Sequence, residues 1–323
     1  MRVLQVSERD GRYSATIATV DDVVAGSDEV IIRVAGSGVN RADLSQIAGR
    51  YPSPPGEPPG LGLEVSGILE GRGTRVCALL AGGGHADRVA APLGQIFPAP
   101  PKLDLVHAAA IPEAYLTAFV NLHEEAGIEL RPERGKGLSV LVHAGASGVG
   151  LAAIQLAKYW GARVAATTRT AGKRDALLRV GADLALVTSD ASWTTDLEAR
   201  FGKNAIDIVL DPVGASTLPG DLELLAPGGR VVLLASMGGA KAELDIPLLM
   251  KKRARVIGSV LRSRSREEKA RLVRLFTSYV GSGLDAGTLA PTIDSVAPVG
   301  RAAEAFQRMK ENRNVGKIVL DWS

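Results

Sequence analysis

Between residues 138 and 174 short apolar runs alternate with an amphipathic stretch, and the rest of the chain extends this rhythm. Residues 138–144 are apolar, rich in β-branched side chains and too few for a helix, so they read as a strand. Residues 151–160 place apolar side chains at helical spacing and end at Gly161; residues 163–168 form a second apolar run. The alternation continues to residue 261, with strands expected at 184–187, 206–210, 230–235 and 255–261 and helices at 192–201 and 216–225. Strands and helices in turn predict a parallel, doubly wound sheet with ligands at the carboxyl ends of its strands. On that rule Asp211-Pro212-Val213-Gly214 and Ala235-Ser236-Met237-Gly238 line a ligand crevice.

The residues before 112 follow a different pattern. Short strands are expected at 1–7, 15–20, 29–35, 63–69, 74–80 and 85–91, with one helix at 41–48. Residues 51–60 hold five prolines and two glycines, which rules out regular structure and suits a stiff loop walling a site. Residues 105–127 read as helical, with the passage into the second domain at 112–119. After residue 265 come a long helix, a strand at 292–296, a helix at 300–312 and a strand at 316–321. These break the alternation, so the expected division is 1–113 with 263–323 as one domain and 114–262 as the other.

Composition narrows the class. The chain has 323 residues, 46% hydrophobic and 23% charged, enough for two sizeable cores. The net charge of +3 is mild, and no aromatic-interleaved basic patch points to a specific nucleic-acid partner. The cluster Lys251, Lys252, Arg253, Arg255, Arg262, Arg264 and Arg266 reads as surface charge, with Arg262 near a cofactor phosphate. Cys77 is the only cysteine and reads as a small core residue. No signal-peptide pattern and no apolar run of membrane length is seen, so the expected location is cytoplasmic, without a membrane partner.

The turn after the first strand carries the chemistry. Gly145-Ala146-Ser147-Gly148-Val149-Gly150 supplies small residues where a backbone must turn sharply and approach a pyrophosphate at a helix N-terminus. Two frames fit the letters, Gly145-x-Ser147-x-x-Gly150 and Gly148-x-Gly150-x-x-Ala153; the first starts where the strand ends and is preferred. An NAD site has an acid about 20 residues further on. Here that place reads Thr167-Thr168-Arg169, followed by Lys173 and Arg174, and cations suit the 2′-phosphate of NADPH.

A hydride-transferring enzyme must also stabilise the charge that forms on the acceptor. His85, His107, His123 and His143 stand apart, and no Cys/His spacing suits a metal. His143 reads as a packed, satisfied imidazole. The remaining polar candidates flank the proline loop: Asn40, Asp43, Tyr51 and Glu64. Asn40 is either a donor to a substrate oxygen or a helix N-cap; Tyr51 is either a proton donor and stacking ring or wall packing.

Several motifs occur together: Gly38-Val39-Asn40-Arg41-Ala42-Asp43-Leu44, Gly62-Leu63-Glu64-Val65-Ser66-Gly67, Gly82-Gly83-Gly84, Ala110 to Phe119, His143 to Gly150, Leu261-Arg262-Ser263-Arg264 and Asn314 to Leu320. In this order, over nearly the whole chain, they resemble the zinc-free quinone oxidoreductases of the medium-chain dehydrogenase/reductase superfamily, and most closely the tumour-suppressor-inducible branch. The resemblance implies an α/β protein: a GroES-like, β-rich catalytic domain closed by the C-terminal segment, and a Rossmann domain that binds NADPH in the cleft. Asn40 falls where zinc-dependent relatives have a cysteine ligand, and Leu63 where they have a histidine. By the same likeness Asn40, Tyr51, Thr117, Ser147, Gly148, Val149, Thr168, Lys173, Ser236, Ser259, Leu261 and Asn314 border the cofactor. Lys173 is then the 2′-phosphate cation.

The chain departs from the family pattern in three places. Residues 69–74 make a shorter connection than usual. His85 stands where relatives tend to have an aromatic residue or Gln, and Ser189 where many have a tyrosine at the 2′-phosphate, a loss that Arg169 offsets. The expected activity is metal-independent reduction of a quinone by NADPH, with Asn40 and Tyr51 as catalytic candidates. The alternatives are reduction of 2-alkenals, enones or enoyl thioesters, and a non-enzymatic NADPH-binding role of crystallin-like or RNA-associated type. The resemblance further suggests a homodimer, or a tetramer, through residues 239–247 and the strand beginning at Arg255.

Overall fold

The computed structural model describes residues 1–129, 135, 137–190 and 192–323. They form two compact units, Met1–Leu116 with Leu261–Ser323, and Thr117–Val260.

The first unit is built on a seven-stranded sheet. Its order is Ile293–Pro298, Lys317–Asp321, Glu29–Val39, Glu64–Leu69, Arg75–Leu79 and Ile96–Pro98, with Arg88–Pro92 also paired to Glu29–Val39. The C-terminal strand Lys317–Asp321 pairs antiparallel with Glu29–Val39, from Ile318 opposite Val39 to Asp321 opposite Gly36. Strands Arg2–Arg9 and Arg12–Thr19 make a separate hairpin around Asp10 and Gly11, at φ 50° and 79°. Two positive φ angles in a two-residue turn match the strands' twist. Helix Ala302–Lys310 lays Phe306 into a core with Ile32, Val34, Leu320 and Trp322, all nearly inaccessible to solvent.

The second unit is a six-stranded sheet in the order Leu184–Val187, Arg163–Thr168, Ser139–Val142, Ile206–Asp211, Leu225–Leu233 and Arg255–Gly258, parallel throughout. Chain order reverses beside the strand Ser139–Val142, the switch point at which open α/β sheets leave a crevice. Leu141, Ala165, Val209 and Val231 are buried, as expected of strands covered on both faces.

Several boundaries differ from the sequence reading. Residues 105–127 are not one helix: Leu105–Ala108 stops, Pro112–Val120 begins anew, and Asn121–Glu125 is a π-helical turn. Pro112 cannot donate into a preceding turn but suits the first turn of a new helix. Leu105–Glu125 has the length and apolarity of a membrane span, contrary to the expectation that no run reaches it. Its side chains are mostly buried inside the protein. The strand expected at 230–235 begins at Leu225, then breaks register between Ile206 and Ile208 of its neighbour, with Pro227 and Gly228 exposed at the irregularity. The strand expected at 255–261 ends at Gly258. Helix Ile246–Lys252 is an addition to the sequence reading; Asp245 caps it by accepting from Leu248 N, and Pro247 lies in its first turn.

Phe306 is fully buried, so Phe306→Ala is expected to destabilise the chain by about 3–5 kcal/mol. Chemical denaturation followed by fluorescence or circular dichroism measures this.

Candidate functional site

In the second unit the glycine turn follows the strand Ser139–Val142. Ala144 adopts φ 48°, and Gly145 N donates to Thr167 O at 2.8 Å, tying the turn to the next strand. Ser147 is the N-cap of helix Gly148–Tyr159, its hydroxyl accepting from Gly150 N at 3.0 Å. A Cβ on Gly150 would lie 2.7 Å from Ala144 O and Gly145 Cα, and one on Gly145 3.1 Å from Ala166 Cβ. Close approach therefore requires glycine at 150, while a Cβ at 145 would press on the side chains of Ala166 and Leu177. Gly145 follows the strand end and Ser147 caps a helix opened by Gly148, Val149 and Gly150, whose first N–H groups lack intrahelical partners.

The parallel sheet gathers the other expected residues of this unit. Thr168 ends its strand and Arg169 follows it, exposed; Ser189 follows Leu184–Val187; Ser236 follows Leu225–Leu233; Ser259 follows Arg255–Gly258. All therefore lie past carboxyl ends on the same edge as the glycine turn. Lys173 is partly exposed in the turn before helix Arg174–Arg179, while Arg174 Nε donates to Ala185 O at 3.2 Å. Thr168 Oγ1 accepts from Thr170 N, and Ser189 Oγ donates weakly to Asp190. Thr117 is elsewhere, partly exposed in helix Pro112–Val120, its carbonyl accepting from Asn121 Nδ2.

Two expectations for this unit need correction. Asp211 turns its carboxylate inward, accepting from Val213 N, Gly214 N and Thr217 Oγ1, so it braces the turn and does not line a crevice. Lys252 is buried, donating to Asn204 Oδ1, Glu223 O and Leu225 O, and is not surface charge. His143 is the satisfied imidazole expected: Nδ1 pairs with Thr167 Oγ1 at 2.8 Å and Nε2 with Asp221 Oδ1 at 2.7 Å.

The first unit encloses a polar cluster at the start of helix Arg41–Ile47. Asn40 is its N-cap, with Asp43 accepting from Asn40 N at 2.7 Å. The Asn40 amide donates to Glu64 Oε1 at 2.8 Å and Gly38 O at 3.1 Å, and accepts from Lys317 Nζ at 2.6 Å. With both N–H groups engaged inside the protein, Asn40 does not present a donor to a substrate in this conformation; the capping alternative describes it. Lys317 Nζ also donates to Glu64 Oε1 at 2.5 Å and Val39 O at 3.0 Å, while Glu64 Oε2 accepts from Glu113 N at 2.8 Å. Glu64 is wholly buried.

Around this centre lies a second set. Asp43 accepts from Gly62 N at 3.0 Å and faces His85 Nε2 at 3.6 Å, and His85 Nδ1 pairs with Ser37 Oγ at 2.8 Å. Burial pushes the Asp43 carboxyl up, but His85 and the N–H groups of Asn40 and Gly62 outweigh it and hold Asp43 below its usual range. Burial, then Glu64, push the Glu113 carboxyl up to about 8 against the pull of Lys317 and Lys269. Tyr51 stands at the proline loop, half-buried, its hydroxyl made less acidic by burial and by Glu113.

Arg262, expected at the surface near a phosphate, is buried. Its Nε donates to Ala81 O, Nη1 to Tyr51 O, and Nη2 to Gln46 Oε1 and Ser53 Oγ, and its guanidinium lies 5.1 Å from the Tyr51 ring centre. A guanidinium tolerates that depth because its planar fork of donors meets protein acceptors in place of water. Leu261 is buried; Asn314 is partly exposed, its amide donating to Gly316 O at 2.8 Å. The sequence reading misses Lys317, Glu113 and the clamp by Arg262. The signal for Lys317 is a lone cation opening the apolar strand Lys317–Asp321. Among the described residues no group of three or more His, Cys, Asp or Glu side chains is placed to hold a metal ion.

Two outcomes follow from this cluster. Lys317→Met strands the buried Glu64 charge and is expected to cost about 3–5 kcal/mol, most of it regained when Glu64→Gln is added; a denaturation double-mutant cycle measures the coupling. The Glu113 carboxyl is raised from 4.5 to about 8 on folding, so the folded state holds the proton more tightly and stability is lost as pH rises through that window. The melting temperature of Glu113→Gln relative to wild type is therefore expected to rise steadily across it, then level off.

Two family descriptions match: an alcohol dehydrogenase GroES-like domain over residues 26–100 and a zinc-binding dehydrogenase over residues 148–278. The chain is 30% identical to the quinone oxidoreductase of Homo sapiens over 332 aligned residues, covering 99% of this chain and 97% of that protein. A quinone oxidoreductase from Thermus thermophilus, solved alone and in complex with NADPH, superposes with a TM-score of 0.83 at 32% identity, covering 99% of this chain and all of that one. A segment of the spectinabilin polyketide synthase protein NorB of Streptomyces orinoci is 33% identical over 94% of this chain, and is 14% of that protein. With a β-rich first unit, a parallel second unit and a full-length likeness of this strength, the chain belongs to the quinone oxidoreductase family of the medium-chain dehydrogenase/reductase superfamily and is a nicotinamide-dependent oxidoreductase.

Proposed function

We propose that the protein reduces a quinone with NADPH. The observation that carries the cofactor preference is the end of the strand Arg163–Thr168. Exposed Arg169 and partly exposed Lys173 follow it, with no carboxylate before Asp175. A 2′-phosphate is a doubly charged acceptor that such cations suit, whereas a 2′-hydroxyl calls for an acid. The glycine turn suits a dinucleotide because small residues let the chain turn tightly from the strand Ser139–Val142 into the N-terminus of helix Gly148–Tyr159. When bound, the dinucleotide supplies the hydride.

The chain's own residues do the rest. Backbone N–H groups at Gly148 and Val149 would hold the pyrophosphate, with Gly150 N bonded to Ser147 Oγ; Thr168, Ser189, Ser236 and Ser259 would border the nucleotide from their strand ends. Tyr51 is the group offered to a flat acceptor ring, and its position is set by Arg262, which fixes both its carbonyl and its ring. Asn40, Leu261 and Asn314 are proposed as wall residues of the first unit and Thr117 of the second, Asn40 through the ion pair it joins. A quinone needs little acid assistance, since its aromatic ring stabilises the hydroquinone anion. The edge strand Arg255–Gly258, with exposed Met250, Val256 and Val260 nearby, supports a homodimer.

Calorimetric titration tests the preference. Arg169→Ala with Lys173→Ala is expected to weaken NADPH by about 10-fold to 100-fold, the worth of one or two charge-assisted hydrogen bonds, and to leave NADH unchanged. Equal losses for the two coenzymes, or none, would remove the assignment.

A further inference from the structure

Ala144, which turns the chain out of the strand Ser139–Val142, adopts φ 48°. An L side chain holds that left-handed conformation only where its surroundings over-determine it. Here both neighbours of Ala144 are tied to one residue of the next strand, Arg163–Thr168. On one side His143 Nδ1 pairs with Thr167 Oγ1 at 2.8 Å; on the other Gly145 N donates to Thr167 O at 2.8 Å. Ala144 O in turn accepts from Ser147 N at 3.0 Å, so the cap of helix Gly148–Tyr159 is placed from the same point.

The imidazole has no room to relax. Its Nε2 is held by Asp221 Oδ1 at 2.7 Å, from helix Leu218–Leu224, and Trp193 meets the ring edge-on with centres 5.6 Å apart. Neither the ring nor the Asp221 carboxylate is accessible, so no solvent replaces a partner that is lost. Thr167 also leads straight into the cationic turn. Thr168 and Arg169 follow it, Thr168 Oγ1 accepts from Thr170 N at 3.3 Å, and Lys173 N donates to Thr170 O at 3.0 Å. The glycine turn and the 169–173 turn therefore meet at a single residue, and His143 locks its side chain.

We infer that His143 is a positioning residue of the nucleotide site. Through Thr167 it sets the register between the glycine turn, which takes a pyrophosphate, and the 169–173 turn, which takes a 2′-phosphate. The inference rests on the reading of the second unit as an NADPH site. The buried ring touches no ligand and acts only through the two turns. A ligand that spans both turns gains from their fixed spacing, because its second contact forms within one complex. A ligand that reaches one turn alone gains nothing from that spacing.

Thr167→Val removes the hydroxyl that His143 holds and keeps the backbone bond to Gly145 N. In calorimetric titration of the full chain it is expected to weaken NADPH by about 3-fold to 10-fold, the worth of one hydrogen bond. NADH, which reaches only the glycine turn, and adenosine 2′-monophosphate, which reaches only the cationic turn, are expected to bind as to wild type. Thr167→Ser restores the hydroxyl and is expected to recover the affinity for NADPH. Thr167→Ala makes the same cut without the added methyl group and replaces Thr167→Val if thermal melting shows that chain unfolded. A folded variant that binds NADPH as tightly as wild type, or that weakens all three ligands alike, overturns the positioning role alone. A wild type that binds neither NADPH nor adenosine 2′-monophosphate overturns the functional reading, and the positioning role with it.

Discussion

The ion pair between Glu64 and Lys317 is the constraint on which the first unit turns. Neither charge tolerates that depth alone, and each is supplied by a different part of the chain: Glu64 from the strand Glu64–Leu69 and Lys317 from the last strand. Asn40 completes the pair by donating to one member and accepting from the other. The same three residues thereby fix the start of helix Arg41–Ile47, the strand Lys317–Asp321 and, through Glu113 N, the start of helix Pro112–Val120. Glu113 beside this pair is raised chiefly by its own burial and then by the like charge of Glu64, against the pull of Lys317.

The second unit solves a different problem by simpler means. Its turn needs only small residues and a capped helix, because the ligand-facing groups are backbone amides at the end of a parallel strand. Asp211 shows how the scaffold spends its polar side chains: its carboxylate is used up in holding Val213, Gly214 and Thr217, which keeps the neighbouring turn in shape. His143 and Asp221 do likewise beneath the sheet's edge. The groups placed at the carboxyl ends are left to be hydroxyls, amides and the cations of the 169–173 turn.

What can be read from the letters follows this division. The strand–turn–helix around Gly145 is legible because its spacing is local: the strand Ser139–Val142, the turn and helix Gly148–Tyr159 follow one another directly. The seven-stranded sheet is legible only as a set of strands. Its pairing joins residue 39 to residue 318, a separation at which no periodicity speaks. The fates of Arg262 and Lys252 are misread for the same reason, since a basic run looks solvated until distant carbonyls supply acceptors. Lys317 and Glu113 escape notice because a buried charge can be recognised only once its partner is in place. Asn40 carries two readings in the sequence; it occupies the N-cap position while its amide is bonded to Glu64, Gly38 and Lys317. Leu105–Glu125 errs in both directions: Pro112 breaks the expected helix, and the apolar length that suits a bilayer is spent on the interior.

Arg262 stands two residues into the segment that returns to the first unit, and it holds Tyr51, Ser53, Gln46 and Ala81. During synthesis the segment Met1–Leu116 therefore leaves the ribosome with an unclamped proline loop, an unmatched Glu64 and a sheet lacking two of its strands. The unit can close only after the whole second unit has been made. Without the segment Leu261–Ser323 the strand Glu29–Val39 would lose its neighbour Lys317–Asp321 and present an open sheet edge.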